Sequence, residues 1–271
     1  MDTSRLLIGL RLARPARRRG FCPACAIALT GDQQAKPRIQ LATDRITVAV
    51  VLGVAAVAWA VTAWQMVGSG PGMGMAIGLG SVGSFAVIWT VMMAAMMLPS
   101  AIPLVYRFAR LAEGRSTRPV AVVVLCLVYL AVWLGFGVLA YVAYGALGMP
   151  WPNNALVGGV ALGLAALYAL SPLKRISQDR CRELCALHGP LPFNLVRAGA
   201  VAGWRYGLSC LGCTVGLMVA MVLIGITSIG WTIVLAVVVL VYKFAPTTGW
   251  RLDVALAAAV GVLGIVYAAL A

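Results

Sequence analysis

Sulfur is the most patterned chemical group in this chain, which holds seven Cys and eleven Met against a single His and only seven acidic residues. Cys181 and Cys185 are spaced C-x3-C, with His188 three residues on, and 25 residues later Cys210 and Cys213 form C-L-G-C. Four sulfurs could therefore meet if the intervening segment folds back, with His188 as a fifth donor. Cys22 and Cys25 form a further C-P-A-C pair, and Cys126 stands alone. Thiolates held together on a reducing side of a membrane bind a soft or borderline metal, Cu(I) or Zn(II), more naturally than they form a structural disulfide.

The methionines are grouped as well. W-T-V-M-M-A-A-M-M-L-P-S-A-I-P places Met92, Met93, Met96 and Met97 within two helical turns, with pairs at i, i+3 and i, i+4 that share one broad face. Pro99 withholds an N–H from the carbonyl of Ala95 and should kink the helix there. Met218 and Met221 occupy a similar depth in a later apolar run, and Met73 and Met75 sit in a Gly-rich G-M-G-M loop. Thioethers suit Cu(I), although Met is also ordinary filler in apolar cores. Read as donors, the sulfurs form a ladder from thiols through mid-membrane thioethers to outer thioethers. Read as packing, they carry no chemistry. A single His excludes multi-histidine oxidase sites, and no G-x4-G-K-[ST] loop is present, so no enzyme is expected.

The elements that must hold these residues are apolar helices. The 271 residues are 62% hydrophobic and 10% charged, which excludes a soluble globular enzyme and a disordered chain. Seven apolar runs are long enough to span a bilayer: 46–67, 84–106, 120–147, 155–170, 207–226, 229–245 and 254–270. Their apolar character runs round the full circumference without a period of two, so the fold class is an all-α polytopic membrane bundle. Small residues at interval four, Gly159 with Gly163 and Gly212 with Gly216, point to close helix contacts.

All 21 Lys and Arg fall in the first 45 residues and in alternate loops. By the positive-inside rule the N-terminus is cytoplasmic and the C-terminus outside, with 171–206 a cytoplasmic loop. The net charge of +14 follows from that topology and from attraction to anionic lipids, with no nucleic-acid module in sight. Residues 1–45 read as a mobile basic extension, and 46–271 as the transmembrane domain.

Four ordered blocks resemble a known family: G-M-G-M at Gly72–Met75, Trp89–Pro103, Tyr168–Lys174 followed by Cys181 and Cys185, and G-L-S-C-L-G-C-T-V-G-L-M at Gly207–Met218. Over roughly 46–245 the chain is similar to bacterial integral membrane proteins described as predicted metal-binding proteins, sometimes labelled copper chaperones. Members commonly carry a further Cys and an aromatic after L-G-C, where this chain has Cys213-Thr214-Val215. They also tend to have Glu before the Lys that ends the sixth span, where this chain has Tyr242-Lys243. The resemblance implies metal handling in the inner membrane. The leading expectation is Cu(I), ahead of Zn(II), moved or delivered to a membrane or periplasmic metalloenzyme. Thiol redox chemistry at Cys210 and Cys213, or an assembly subunit whose sulfurs only pack, are the alternatives.

Overall fold

The computed structural model describes residues 38–68, 82–147, 154–185, 191–224, 229–244 and 250–270. It is all-α: α1 (Arg38–Gly68), α2 (Val82–Leu111), α3 (Arg118–Ala146), α4 (Asn154–Leu170), α5 (Pro172–Cys185), α6 (Leu195–Ile224), α7 (Ile229–Phe244) and α8 (Trp250–Leu270). The seven apolar runs coincide with helices over their described residues, apart from Leu147 just past the end of α3. Four stretches are long and apolar enough to cross a membrane: Ile46–Trp64, Val82–Leu111, Arg118–Ala146 and Leu195–Leu223. A fifth crossing results if α4 and α5, bent by 64°, are counted together.

The outer faces of these helices are apolar too. On α3, Val120, Val123, Leu127, Leu139 and Val142 are exposed, while Ala121, Leu125, Tyr129, Val132 and Trp133 are buried on the opposite side. A soluble helix would reverse the polarity of the exposed stripe. Exposed apolar surface on this scale belongs against lipid or another apolar partner.

α2 and α6 hold the bundle together. α2 packs on α1 and α3, and more lightly on α5 and α7; α6 packs on α3, α4 and α5. Along α6, Gly199 and Gly203 lie directly on the carbonyls of Ala121 and Leu125 of α3, and Gly207 lies on Val132. This is small-residue packing of the kind that lets two backbones touch. Gly212 fits under Ser177 of α5 and Gly216 under Tyr168 of α4, while Gly159 meets Ala268 and Gly264 of α8. Gly163 has open space where its own side chain would be.

The segment 171–206, expected as a loop, is helical for most of its length: it contains α5 and the first turns of α6. Its charged residues disguise helices whose ends are well signalled. Ser171 caps α5, its Oγ accepting the Lys174 N–H at 3.2 Å, and Pro172 follows at the first helical position. Asn194 caps α6 in the same way, accepting the Arg197 N–H at 3.0 Å. The bend at Ser171–Pro172 turns α5 back along α6, with Ser177 against Gly212. α2 runs through Pro99 and Pro103 as one helix. Arg115, in the turn after α2, donates to the carbonyls of Pro192 and Phe193 at 2.8 and 2.9 Å, so two of the Arg-bearing connections lie at the same end.

Candidate metal-handling site

The site is built where α2, α3, α5 and α6 meet. Cys181 and Cys185, four residues apart, share the buried face of α5. Cys210 is fully buried on α6, and its Sγ lies 3.2 Å from the Tyr129 hydroxyl of α3. That hydroxyl donates to the Met97 carbonyl of α2 at 3.3 Å, which also accepts from Ser100 Oγ at 2.6 Å. Tyrosine has one hydroxyl proton, so with Met97 as its acceptor the Cys210 thiol is the donor in the other bond.

One turn below Cys210 on α6, Tyr206 donates to the Ser100 carbonyl at 2.7 Å. Its ring packs against Tyr129 with centroids 5.5 Å apart. Cys181, Cys185 and Cys210 all act electrostatically on the Tyr206 hydroxyl. The three thiols and both tyrosines are buried in one core. A buried hydroxyl left without a partner costs about 1–3 kcal/mol. Both tyrosines avoid that cost by bonding to backbone of α2, and in doing so they fix α2 against α3 and α6.

The thioethers adjoin this group. Met92, Met93, Met96 and Met97 are all buried, as are Met218 and Met221 of α6. They belong to one continuous core with Tyr129, Tyr206 and the thiols. At its other side the core is closed by aromatics: Trp89 lies over Gly137 and donates to the Trp133 carbonyl at 2.9 Å.

Cys213 takes a different direction. Its thiol donates to the Cys210 carbonyl at 3.1 Å, and its electrostatic neighbour is Tyr168 of α4, whose hydroxyl bonds to the Gly212 carbonyl at 2.5 Å. Cys126 is half-buried against the core. Cys22, Cys25, Met73, Met75 and His188 lie outside the described residues.

Soft donors dominate this region, and their chemistry fits Cu(I). Among the described residues, however, no three His, Cys, Asp or Glu side chains converge closely enough to hold a metal ion.

Sequence reasoning missed Tyr129, Tyr206, Ser100 and Lys174. Tyr206, in the segment read as a loop, is 2% exposed. Lys174 reads as a loop cation, yet it is equally buried, on the α5 face that carries Cys181 and Cys185. The available signal was a tyrosine inside an apolar helix, whose hydroxyl must find a partner when buried.

No curated protein and no solved structure matches the chain. A family model described as PpoB2, copper chaperone, matches residues 86–267, which takes in most of α2, all of α3 to α7 and most of α8. That span contains the thiols and buried methionines placed above and covers well over half of the sequence, so the chain belongs to the PpoB2 copper chaperone family.

Proposed function

We propose that this protein is a membrane-embedded copper handler, which takes Cu(I) on Cys181, Cys185 and Cys210 and presents it to the thioether face of α2 for delivery to a partner metalloenzyme. The observation that carries the reading is the Tyr129 hydroxyl, which touches the Cys210 sulfur and the Met97 backbone at once. The thiols and the thioether-bearing side chains lie in the same buried core. Family membership supports copper as the cargo. The donor set favours Cu(I) over Zn(II), because thiols and thioethers are soft and no His is on hand among the described residues.

In this reading the seven apolar helices cross the bacterial inner membrane, with the N-terminus and the basic connections in the cytoplasm. The thiols then lie toward the reducing side and the Trp89–Trp133 region toward the outside. The protein moves or presents an ion and breaks no bond of a substrate, so it is a carrier and not an enzyme. Thiol redox chemistry would draw on Cys210 and Cys213, whose sulfurs engage different neighbours.

The test is copper content of the purified full-length protein together with Cu(I) affinity against a competing chelator. The C181S/C185S/C210S variant should lose more than the roughly 10–100-fold that removing a mere supporting partner costs. Wild-type affinity in that variant would overturn the proposal.

A further inference from the structure

The Tyr129 side chain touches both a thiol and the backbone of the methionine helix, and its bond to that backbone is long. The hydroxyl stands 3.2 Å from the Cys210 sulfur and 3.3 Å from the Met97 carbonyl. Hydroxyl-to-oxygen bonds ordinarily measure about 2.5–3.0 Å, so the phenol donates to Met97 only weakly. Ser100 Oγ serves the same carbonyl at 2.6 Å. The Met97 carbonyl therefore keeps a short bond whichever way the Tyr129 proton points. The ring is fixed, because Tyr129 is fully buried and packs on Tyr206 with centroids 5.5 Å apart. Rotation about the C–O bond is the freedom that remains to the hydroxyl.

With its own proton on Met97, the phenol oxygen accepts from the Cys210 thiol. A sulfur that binds a metal does so as thiolate and has no proton to give. Across the 3.2 Å contact, a phenol lone pair would then face a thiolate, acceptor against acceptor, unless the phenol proton swings to the sulfur. The swing leaves the Met97 carbonyl paired with Ser100. It also exchanges a long neutral bond for one to a charged acceptor, a class roughly twice as strong.

We propose that the Tyr129 hydroxyl is a reversible hydrogen bond that positions Cys210: it accepts from the thiol in the empty protein and donates to the thiolate once Cu(I) is bound, letting go of the Met97 carbonyl as it turns. The inference rests on the copper-handling reading and adds how the loaded site is held. Copper stays Cu(I) throughout. The Cys210 S–H bond breaks, a Cu–S bond forms, and the proton passes to a buffer base. Tyr129 acts through Cys210 and is not a ligand. Loading thereby alters one bond to the turn of α2 that carries Met96 and Met97, which links the thiols to the methionine helix.

Infrared difference spectra read the reversal. Accepting a hydrogen bond weakens the phenol C–O bond, and donating one strengthens it. Full-length protein carrying isotopically ring-labelled tyrosine, given Cu(I) as its acetonitrile complex, should show a tyrosine C–O stretch moving to higher wavenumber. That band should be missing from Y129F loaded to the same copper content, and its persistence there overturns the proposal. Copper-loaded wild type with no shifted tyrosine band overturns it too, even if Y129F fails to fold. Y129F keeps the ring and removes the hydroxyl, so it should bind Cu(I) roughly 10–100-fold more weakly at unchanged stoichiometry, the usual cost of losing a partner behind a metal ligand. Wild-type affinity in Y129F contradicts the positioning role. Weaker binding by Y129F without a tyrosine band in the wild type marks the hydroxyl as a mere support and sinks the reversal. If the wild type takes up no copper, the copper reading fails and this inference with it. If it loads while the tyrosine bands stay still, only the reversal fails.

Discussion

Tyr129 makes two contacts that neither its type nor its position would suggest, one to a sulfur on α6 and one to a carbonyl on α2. They tie α6 to α2 through α3 inside the core that also holds the methionines, and in the proposed reading the methionines continue the path from Cys210. A bare cation in hydrocarbon without donors is prohibitively costly, and the α2 face offers sulfur and no carboxylate, imidazole or thiol. Met and Leu have similar volumes, and such exchanges usually cost less than about 1.5 kcal/mol each. M92L/M93L/M96L/M97L should therefore insert and purify as the wild type does while losing copper-dependent function in cells. Full function in that variant would reduce the methionine face to packing and confine copper to the thiols. The donors themselves were legible because Cys and Met stand out in type and spacing. The tyrosines that join them were not, since their partners lie 32, 81 and 106 residues away and only the fold brings them together.

Helices differ in how openly they declare themselves. α1 over Ile46–Trp64, α2 and α3 are apolar enough to be evident from hydropathy alone. α5 is hidden by Lys174, Arg175, Asp179, Arg180, Arg182 and Glu183, so it reads as a loop although its buried face carries two of the three thiols. The first turns of α6 are masked in the same way by Arg197 and Arg205. What identifies those turns as part of the bundle is glycine: Gly199 and Gly203 bring α6 onto the α3 backbone. A side chain at Gly203 would strike the Leu125 carbonyl, and backbone cannot yield as a rotamer does. G203V should therefore force α3 and α6 apart at a cost of at least about 1–3 kcal/mol. It would also separate Tyr129 from Cys210, so thermal stability and copper affinity should fall together. A stable G203V with intact affinity would show that the α3–α6 contact does not position the site. Gly53 and Gly135, which face open space, are the natural controls.

Among the described residues the helices expose many apolar side chains, and their interior gathers sulfur, hydroxyl and backbone carbonyl groups together with the buried Lys174. The Arg115 contacts to Pro192 and Phe193 hold two basic connections together at one end, and that end is where the thiol-bearing α5 leads. The match to the copper chaperone family spans the same helices. The account therefore turns on what surrounds the copper once it is bound. X-ray absorption at the copper edge, on full-length protein loaded with one equivalent of Cu(I), reads those neighbours directly. The prediction is a first shell of sulfur alone, reduced in sulfur count when Cys210 is replaced by serine. A first shell dominated by nitrogen or oxygen, or a sulfur shell unchanged in C210S, would contradict it.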